Sequence, residues 1–306
     1  MGSLRPFYEE QLALWQDTKQ RFDDLRHVEV KQLGLLKAQF NPARLVSTGA
    51  KIDKATLAKR PCFLCAANRP KEQIVKDFNS HFDILINPFP ILPEHFTIPL
   101  CIHELQQIKE HFIDMLLFID EYDEGLVFYN GPRCGASAPD HLHFQAGTKS
   151  IIPMYQEWEN LSSTSETILS LSKAKLSYIT HYACPVIAIT SYDIDSCVVL
   201  FNKIYDALPL PENDIEPMMN VVVWKEKGEL VVLIFPRFKH RPDCYFAEGN
   251  AQCLVSPGAI DMAGLLILPL KKDFDTITLA QASAILKEVT LPEEVVVKVL
   301  DTLRKH

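Results

Sequence analysis

Apolar residues recur at helical spacing in several separate stretches of the chain. Phe7 to Leu25 and Leu105 to Tyr122 each carry apolar side chains that would share one face of a helix. Asp195 to Ala207 shows the same character in the second half of the chain. Two further stretches, Leu279 to Glu288 and Pro292 to Arg304, predict helices that close the chain.

Strand-like segments fill much of the chain between these helices. Phe82 to Pro99 predicts two strands joined by a proline-rich turn, because apolar runs flank Asn87-Pro-Phe-Pro. Asn220 to Phe235 predicts a hairpin around Lys227-Gly228. A Ser- and Thr-rich patch from Ser162 to Ser165 predicts a linker, and strand-like segments begin again near Lys175. We therefore predict two halves, residues 1–170 and residues 171–306.

Composition and charge exclude several classes of function. The chain is 47% hydrophobic and 23% charged, which is ordinary for a soluble globular protein. Its net charge of -8 argues against a broad nucleic-acid footprint. No apolar run approaches membrane-spanning length, so no membrane partner is expected. Eight cysteines without a secretory signal predict reduced thiols or metal ligands, and we expect a cytoplasmic protein.

The candidate chemistry is concentrated in one stretch that begins at Asn130. Residues 130–140 are rich in Gly, Pro, Ser and Asn, which predicts a loop whose backbone N–H groups can hold phosphate oxygens. The next five residues alternate polar and apolar side chains, which predicts a strand. In that strand His141, His143 and Gln145 project from one face. Because the chain has ten histidines, chance His-x-His is not rare; the loop and the glutamine raise the expectation of function.

Gly135-Ala136-Ser137 followed by His141-x-His143-x-Gln145 resembles the active-site motif of the histidine-triad superfamily. Hydrolases of the superfamily have histidine at the third position, whereas nucleotidyltransferases and phosphorylases have glutamine. The run looks like the branch of galactose-1-phosphate uridylyltransferase, ATP adenylyltransferase (dinucleoside tetraphosphate phosphorylase) and GDP-hexose phosphorylase. The resemblance covers most of the chain. It implies an α+β fold with a histidine-triad-like antiparallel sheet and flanking helices, in which residues 171–306 form a degenerate second half without the motif.

The resemblance maps the nucleophile of this branch onto His143. A neutral imidazole can attack a nucleotide α-phosphorus without prior deprotonation. A backbone carbonyl that accepts from its Nδ1–H would fix the tautomer and free Nε2 to attack. Gln145 can donate an amide N–H to a phosphate oxygen, but it cannot protonate a leaving group. This suits a transferase whose leaving group is already a stable anion.

Further residues are candidates for binding the nucleotide and its phosphates. Ser137, with the N–H groups of Gly135 and Ala136, would support developing charge, and Asn130 would hold the loop or a phosphate. Asn87 matches the family's ribose contact, because it ends a strand before the proline turn. Basic side chains in two turns are also candidates, although solvated turns explain them almost as well: Arg44, Lys51, Arg237 and Lys239.

Cys62 and Cys65 form a Cys-x-x-Cys pair, which has several interpretations. Its flanking residues do not indicate a thioredoxin-like redox setting, and two zinc ligands need two partners. In relatives a histidine after the next strand and the first histidine of His-x-His complete the site, which here are His103 and His141. The resemblance therefore implies a structural zinc; the alternative is two buried thiols beside a surface histidine. No organic cofactor is expected.

The sequence predicts a nucleotidyltransferase or phosphorylase that works by double displacement through a nucleotidyl-His143 intermediate. Its expected partners are a nucleotide sugar or dinucleoside polyphosphate, with phosphate or a sugar phosphate; a homodimer is compatible with the sequence. Two alternatives stay open. One is a histidine-triad hydrolase, against which Gln145 argues. The other is a nucleotide-binding regulatory protein without turnover, because Asp140 puts a carboxylate next to His141, where it would disfavour a phosphate.

Overall fold

The computed structural model describes residues 3–45, 49 and 60–305 of the chain. Within these residues the strands form one ten-stranded sheet and one three-stranded sheet. The strands are β1 (Val30–Leu33), β2 (Leu36–Phe40), β3 (Lys76–Phe78), β4 (Phe82–Ile86), β5 (His95–Pro99), β6 (Gly125–Asn130), β7 (His143–Thr148), β8 (Glu166–Ser170), β9 (Ala174–Tyr178), β10 (Ile187–Ser191), β11 (Met219–Glu226), β12 (Glu229–Pro236) and β13 (Leu265–Leu268).

Helices cover both faces of the larger sheet. The α-helices of the described residues are α1 (Arg5–Leu14), α2 (Gln16–Leu25), α3 (Phe112–Glu121), α4 (Pro153–Gln156), α5 (Trp158–Ser163), α6 (Ile194–Ala207), α7 (Asp243–Phe246), α8 (Ala259–Met262), α9 (Lys271–Thr276), α10 (Leu279–Val289) and α11 (Glu293–Arg304). None of these helices is long and apolar enough to cross a lipid bilayer.

The larger sheet runs continuously through both halves of the chain. Its strand order is β3-β4-β5-β7-β6-β11-β12-β10-β9-β8, and neighbouring strands pair antiparallel. The pairing of β6 with β11 joins the strands of the first half to those of the second. The predicted antiparallel sheet is therefore present as one sheet, with the two groups of strands meeting at β6, directly before the candidate loop.

Each face of this sheet is buried under its own layer. Alternate residues of β6 and β7, among them Tyr129 and Phe144, pack on one side with α3, α6 and α11. The intervening residues, such as Phe128, pack on the other side with α8, α10 and the three-stranded sheet. That small sheet pairs β1 with β2, and β2 with β13, so it joins a segment of the first half to a segment of the second half. Because Phe144 faces the first layer, its neighbours His143 and Gln145 face the second.

Several predicted elements differ from the observed ones. The first helix is two helices, because Trp15 has the non-helical angles φ -122 and ψ 85 between α1 and α2. Residues 162–165 are not a linker, since they end α5 and lead directly into β8. The predicted division at residue 170 falls after β8, which pairs with β9 of the second half. The division into residues 1–170 and 171–306 stays a prediction.

Two differences bear on the candidate site. The helix predicted from Leu105 begins only at Phe112, after a short 3-10 turn, because Gln106 turns its side chain inward and is fully buried. The strand predicted from His141 begins at His143, since the N–H groups of His141 and Leu142 bond outside the sheet, to Ala138 and Glu104. His141 therefore lies in the turn before β7, while His143 and Gln145 share one face of the strand.

An aromatic stack links helices that come from the two halves. The rings of Phe112 in α3 and Phe201 in α6 lie 3.7 Å apart between centroids, at an interplanar angle of 10°. Both side chains are buried against the same face of the larger sheet. This contact makes the covering helix layer continuous across the β6–β11 junction.

We expect Phe201→Ala to lower the free energy of unfolding by about 3–5 kcal/mol, the usual cost of truncating a buried phenylalanine. Phe246→Ala is the control, because Phe246 is 67% exposed, and its effect should stay within about 0.5 kcal/mol. Urea unfolding followed by circular dichroism measures both values. Equal costs for the two variants would contradict the packing described here.

Candidate active site

His143 is held with one ring nitrogen bound and the other available. Its Nδ1 lies 2.8 Å from the carbonyl oxygen of His141, so Nδ1 carries the hydrogen and donates it. Among the described residues no partner is found for Nε2. Burial lowers the pKa of His143 to about 4, so the ring is neutral near pH 7. The backbone carbonyl expected from the sequence is thus present, and Nε2 presents a lone pair.

The four predicted metal ligands lie together beside the start of β7. The candidate ligand atoms of Cys62, Cys65, His103 and His141 all lie within 4.8 Å of one another. Cys62 Sγ is 3.3 Å from His141 Nδ1, and Cys65 Sγ is 3.1 Å from His103 Nδ1. A tetrahedral zinc ion with bonds of about 2.0–2.3 Å holds its ligand atoms roughly this close.

The tautomer of His141 also suits a metal ligand. Its Nε2 lies 2.8 Å from the carbonyl oxygen of Leu100, so Nε2 donates and the lone pair of Nδ1 faces the thiols. Such a second hydrogen bond orients histidine ligands in metal sites. The residues present therefore fit a tetrahedral cation, and the four-residue cluster can hold a metal ion.

The side-chain oxygen of Gln145 is bound by two donors. Backbone N–H of Ile91 donates to Nδ1 of His95 at 3.2 Å, so the hydrogen of that neutral ring is on Nε2. This Nε2–H donates to Gln145 Oε1 at 3.0 Å, and Asn87 Nδ2 reaches the same oxygen at 3.3 Å. Burial, with the nearby charge of Arg44, lowers the pKa of His95 to about 3, which keeps this direction at ordinary pH.

The amide N–H₂ group of Gln145 is consequently the part left for other acceptors. Among the described residues no acceptor for it is found. The predicted donor role of Gln145 is thus compatible with the geometry. Asn87 lies beside Gln145, but its Nδ2 also donates to Thr97 Oγ1 and its Oδ1 accepts from the N–H of Phe89. A ribose contact by Asn87 stays a prediction.

The loop between β6 and β7 leaves several backbone donors unused. Across the part of the chain that is described, no acceptor is found for the backbone N–H groups of Gly135, Ala136 and Ser137. Gly135 has φ +98, and a Cβ there would come within 2.9 Å of Gly258 Cα. A side chain at this position would thus be strained and would collide, so the close approach of the two segments requires glycine.

Asn130 anchors this loop rather than presenting its oxygen to a ligand. Its Oδ1 accepts from Asn220 Nδ2 at 2.8 Å and from the N–H of Ala259 at 2.7 Å. Asn220 in turn donates to the carbonyl of Cys134 and accepts from Arg237. Of the two predicted roles of Asn130, the structure favours holding the loop.

Arg237 requires a correction, because its guanidinium is buried and bound by the protein. Its Nε and both terminal nitrogens donate to Asn220 Oδ1 and to four backbone carbonyls, those of Val289, Pro257, Lys239 and His240. All five N–H groups are thereby used. Arg237 therefore organises the segment that contacts the loop, and a phosphate contact would need these bonds to break.

The other basic candidates are dispersed. Lys239 forms ion pairs with Asp243 at 2.7 Å and Glu288 at 2.6 Å, on the surface of the second half. Arg44 lies within electrostatic reach of His95 and of the buried Asp261. A phosphate-binding role for Arg44 stays a prediction. Lys51 lies outside the described residues.

Asp140, whose charge raised doubt about a phosphate site, is paired. Its Oδ1 lies 2.9 Å from Arg60 Nη2, and the same nitrogen is 3.4 Å from the carbonyl of Ser137. Because a cation offsets the carboxylate, the charge of Asp140 is a weaker argument against an anionic ligand. The sequence did not predict this ion pair, since Arg60 and Asp140 are 80 residues apart.

Three buried residues of the site were missed by the sequence analysis: His95, Gln106 and Asn220. His95 stands in the proline-turn pattern of Phe82 to Pro99, which gave a signal for a turn but none for a contact with Gln145. Gln106 and Asn220 lie in segments whose apolar patterns indicated a helix and a strand. Hydrophobic periodicity shows which face of a helix or strand is apolar, but it does not predict a buried amide on that face.

Comparisons with known proteins cover nearly the whole chain. A family model described as domain of unknown function (DUF4922) matches residues 7–148, and one described as GDPGP1-like, C-terminal domain, matches residues 160–303. Yeast Ap4A phosphorylase Apa2 in complex with Ap4A is similar with a TM-score of 0.60 and 17% identity, over 91% of this chain and 97% of that chain. No curated protein matches the chain by sequence.

Two further solved structures are similar to this chain. The yeast phosphorylase in complex with AMP has a TM-score of 0.57 and 14% identity, over 90% of this chain and 97% of that chain. A uridylyltransferase has a TM-score of 0.40 and 11% identity, over 81% of this chain and 92% of that chain. The similarity to the phosphorylase structures confirms the predicted α+β fold.

A buried carboxyl group beneath the loop makes stability depend on pH. Burial raises the pKa of Glu216 to about 7, although Tyr129 Oη–H and the N–H of Ile108 both donate to it. A raised carboxyl pKa favours folding while the group is protonated. This stabilisation is present below the ordinary glutamate pKa and is lost as pH rises through about 7.

We expect this group to lower the free energy of unfolding by about 3 kcal/mol between roughly pH 4.5 and 7. In Glu216→Gln the slope of the free energy of unfolding against pH should be smaller, because the amide cannot ionise. Glu212→Gln is the matched control, since Glu212 is exposed, and it should keep the wild-type slope. Urea titrations across this pH range provide the measurement. Identical slopes in wild type and Glu216→Gln would contradict the assignment.

Proposed function

We propose that the chain is a member of the histidine-triad-like superfamily, in the branch of the uridylyltransferases and nucleotide phosphorylases, and that it acts as a nucleotidyltransferase or phosphorylase. The observation that carries the proposal is the state of His143. Its Nδ1–H is donated to the His141 carbonyl, and its neutral ring leaves the Nε2 lone pair available. This is the form of imidazole that can attack phosphorus.

The proposed reaction has two displacement steps. First, His143 Nε2 forms a bond to the nucleotide α-phosphorus while the bond from phosphorus to the leaving sugar phosphate or nucleoside polyphosphate breaks. Then an oxygen of the acceptor attacks the same phosphorus, and the phosphorus–nitrogen bond breaks to restore the neutral ring. The hydrogen on Nδ1 stays with the His141 carbonyl throughout, so the ring needs no general base.

Gln145 and the loop supply donors where negative charge develops. With its oxygen occupied by His95 and Asn87, Gln145 has only N–H groups left for a phosphate oxygen. The unused N–H groups of Gly135, Ala136 and Ser137 are the second set of donors. An amide cannot give a proton to a leaving group, so the substrate must release a stable anion. This favours phosphorolysis or nucleotidyl transfer over hydrolysis.

We propose a nucleotide sugar or a dinucleoside polyphosphate as the nucleotidyl donor. Inorganic phosphate or a sugar phosphate would be the acceptor. A nucleotide sugar releases a sugar phosphate from its α-phosphorus, and a dinucleoside polyphosphate releases a nucleoside polyphosphate; both leaving groups are stable anions. The fold similarity to an Ap4A phosphorylase solved in complex with Ap4A and with AMP supports this substrate class.

The double displacement can be tested by trapping its intermediate. A donor with a radiolabelled α-phosphate, given without acceptor, should leave an acid-labile, base-stable label on His143. His143→Ala should take up no label and lose turnover. His181→Ala is the matched control, because His181 is exposed, and it should label like wild type. Gln145→Ala should still label, but about 10²–10³-fold more slowly, as expected for one lost donor to developing charge.

The acceptor then distinguishes the functional classes. Added phosphate or sugar phosphate should discharge the label into product faster than water does. Discharge to water at the same rate would indicate a hydrolase, and a protein that binds nucleotide but never takes up label would be a regulatory binder. Label on another residue, or an active His143→Ala variant, would overturn the proposed mechanism.

We further propose that Cys62, Cys65, His103 and His141 hold a structural zinc ion. The lone pair of His141 Nδ1 directed at Cys62, and the contacts among the four ligand atoms, support this choice. Two thiolates and two imidazoles are a ligand set that zinc prefers. When bound, the ion would tie the segment at Cys62 to the turn before β7 and so steady the carbonyl that orients His143.

We expect elemental analysis to find about one zinc per chain, as four protein ligands complete a structural site. Cys65→Ser should lose most of this zinc and unfold at a lower temperature, because metal binding is coupled to folding. Cys101→Ser is the matched control, since Cys101 is exposed and outside the cluster, and it should keep the metal. A wild-type protein purified without chelator that contains no metal would refute the proposal.

A further inference from the structure

The two strands that flank the candidate loop do not stay paired up to the loop. β6 and β7 are antiparallel neighbours, with residue pairs running from Gly125 with Thr148 to Phe128 with Gln145. The same register, continued by two residues, would bring Asn130 opposite His143. Pairing stops before that point, although both residues still lie within their strands.

The side chain of Gln106 occupies the place of the missing backbone pairing. Its Nε2 donates to the carbonyl oxygens of Asn130 and His143, at 3.0 Å each. Its Oε1 accepts from the backbone N–H of His143 at 2.8 Å. One amide therefore binds both strands at the level of His143, and it satisfies both main-chain groups of that residue.

Gln106 is itself fixed on all sides. Its side chain is fully buried, and its backbone N–H donates to the carbonyl of Pro139 in the loop. Two residues further on, the N–H of Ile108 donates to the buried carboxyl of Glu216. A buried side chain with its oxygen and both amide hydrogens bonded is costly to move, because each broken bond leaves a desolvated polar group.

We propose that Gln106 is a positioning residue that holds β6 and β7 apart at His143 and so sets the imidazole against the phosphate-binding loop. The loop leaves the sheet at Asn130, whose carbonyl accepts from this amide. It rejoins the sheet at His143, whose backbone N–H and carbonyl bind the same amide. Direct strand pairing would draw these ends together and narrow the space between the ring and the loop donors. The kinetic part of this inference rests on the proposed function; the placement of the amide does not.

The test uses the full-length protein with two substitutions of Gln106. Gln106→Leu has similar length but cannot bond either strand. Gln106→Glu keeps an acceptor for the His143 N–H and places oxygens against the two carbonyls. The matched control is Gln107→Leu, because Gln107 is exposed and the one acceptor found for its amide among the described residues is the carbonyl of Ile215, at 2.7 Å.

The kinetic measurement is the rate constant for labelling His143 from a saturating donor with a radiolabelled α-phosphate. We expect Gln106→Leu to lower this rate constant by about 10²-fold, as small misplacements of a reacting group do, with the nucleotide dissociation constant unchanged. Gln106→Glu should also be slow, whereas Gln107→Leu should match wild type. A residue that only stabilised the fold would reduce the fraction of protein that takes up label, but the labelled fraction would react at the wild-type rate. That outcome would overturn the proposal.

Amide hydrogen exchange tests the placement independently of the chemistry. The His143 N–H should exchange faster in Gln106→Leu than in wild type, and at the wild-type rate in Gln107→Leu and Gln106→Glu. Unchanged exchange in Gln106→Leu would refute the placement. If wild type takes up no label, the proposed function fails, and exchange alone then decides the role of the amide. If Gln106→Leu does not fold, the slow labelling and protected His143 N–H expected of Gln106→Glu decide it.

Discussion

The site depends on one hydrogen bond, from Nδ1–H of His143 to the carbonyl of His141. Through it one short segment does two separate things: the side chain of His141 belongs to the cysteine and histidine cluster, and its carbonyl orients the nucleophile candidate. The ring can turn only if this bond breaks, and the accepting carbonyl belongs to the same residue as a side chain of the cluster. Gln106 binds the backbone N–H and carbonyl of His143, and the carbonyl of Leu100 accepts from the ring of His141, so neighbouring groups hold both residues that this hydrogen bond joins.

Local sequence patterns predicted many of the helices and strands of the fold. Alternation placed Phe144 and His143 on opposite faces of one strand, and the Lys227-Gly228 turn and its hairpin agree with the structure. Helix starts were less predictable, as the late start of α3 shows, because Gln106 fits a helix in propensity but is used by the tertiary structure instead. The order of strands, with β6 beside β11, depends on contacts far apart in sequence and could not be read from it.

The site shows the same division between local and distant information. His143, Gln145 and the loop residues form one motif, and a motif is local. Their partners are not: Gln106 is 37 residues from His143, and His95 is 50 residues from Gln145. Arg237 shows the opposite error, because a basic turn looks suited to an anion in sequence but its donors are used by the surrounding backbone. Residue type alone does not reveal whether a charged group faces a ligand or the interior.

The hydrogen bonds of Asn130 determine when the site can form during synthesis of the chain. The two donors to its side chain, Asn220 and the N–H of Ala259, are 90 and 129 residues away along the chain, both towards the C-terminus. During synthesis the loop leaves the ribosome long before either donor exists. Domains tend to fold as they emerge, from the N-terminus onwards. The histidine motif is therefore made early but can take its final form only when the second half has folded against it, so a nascent chain carries every residue of the motif without a finished site.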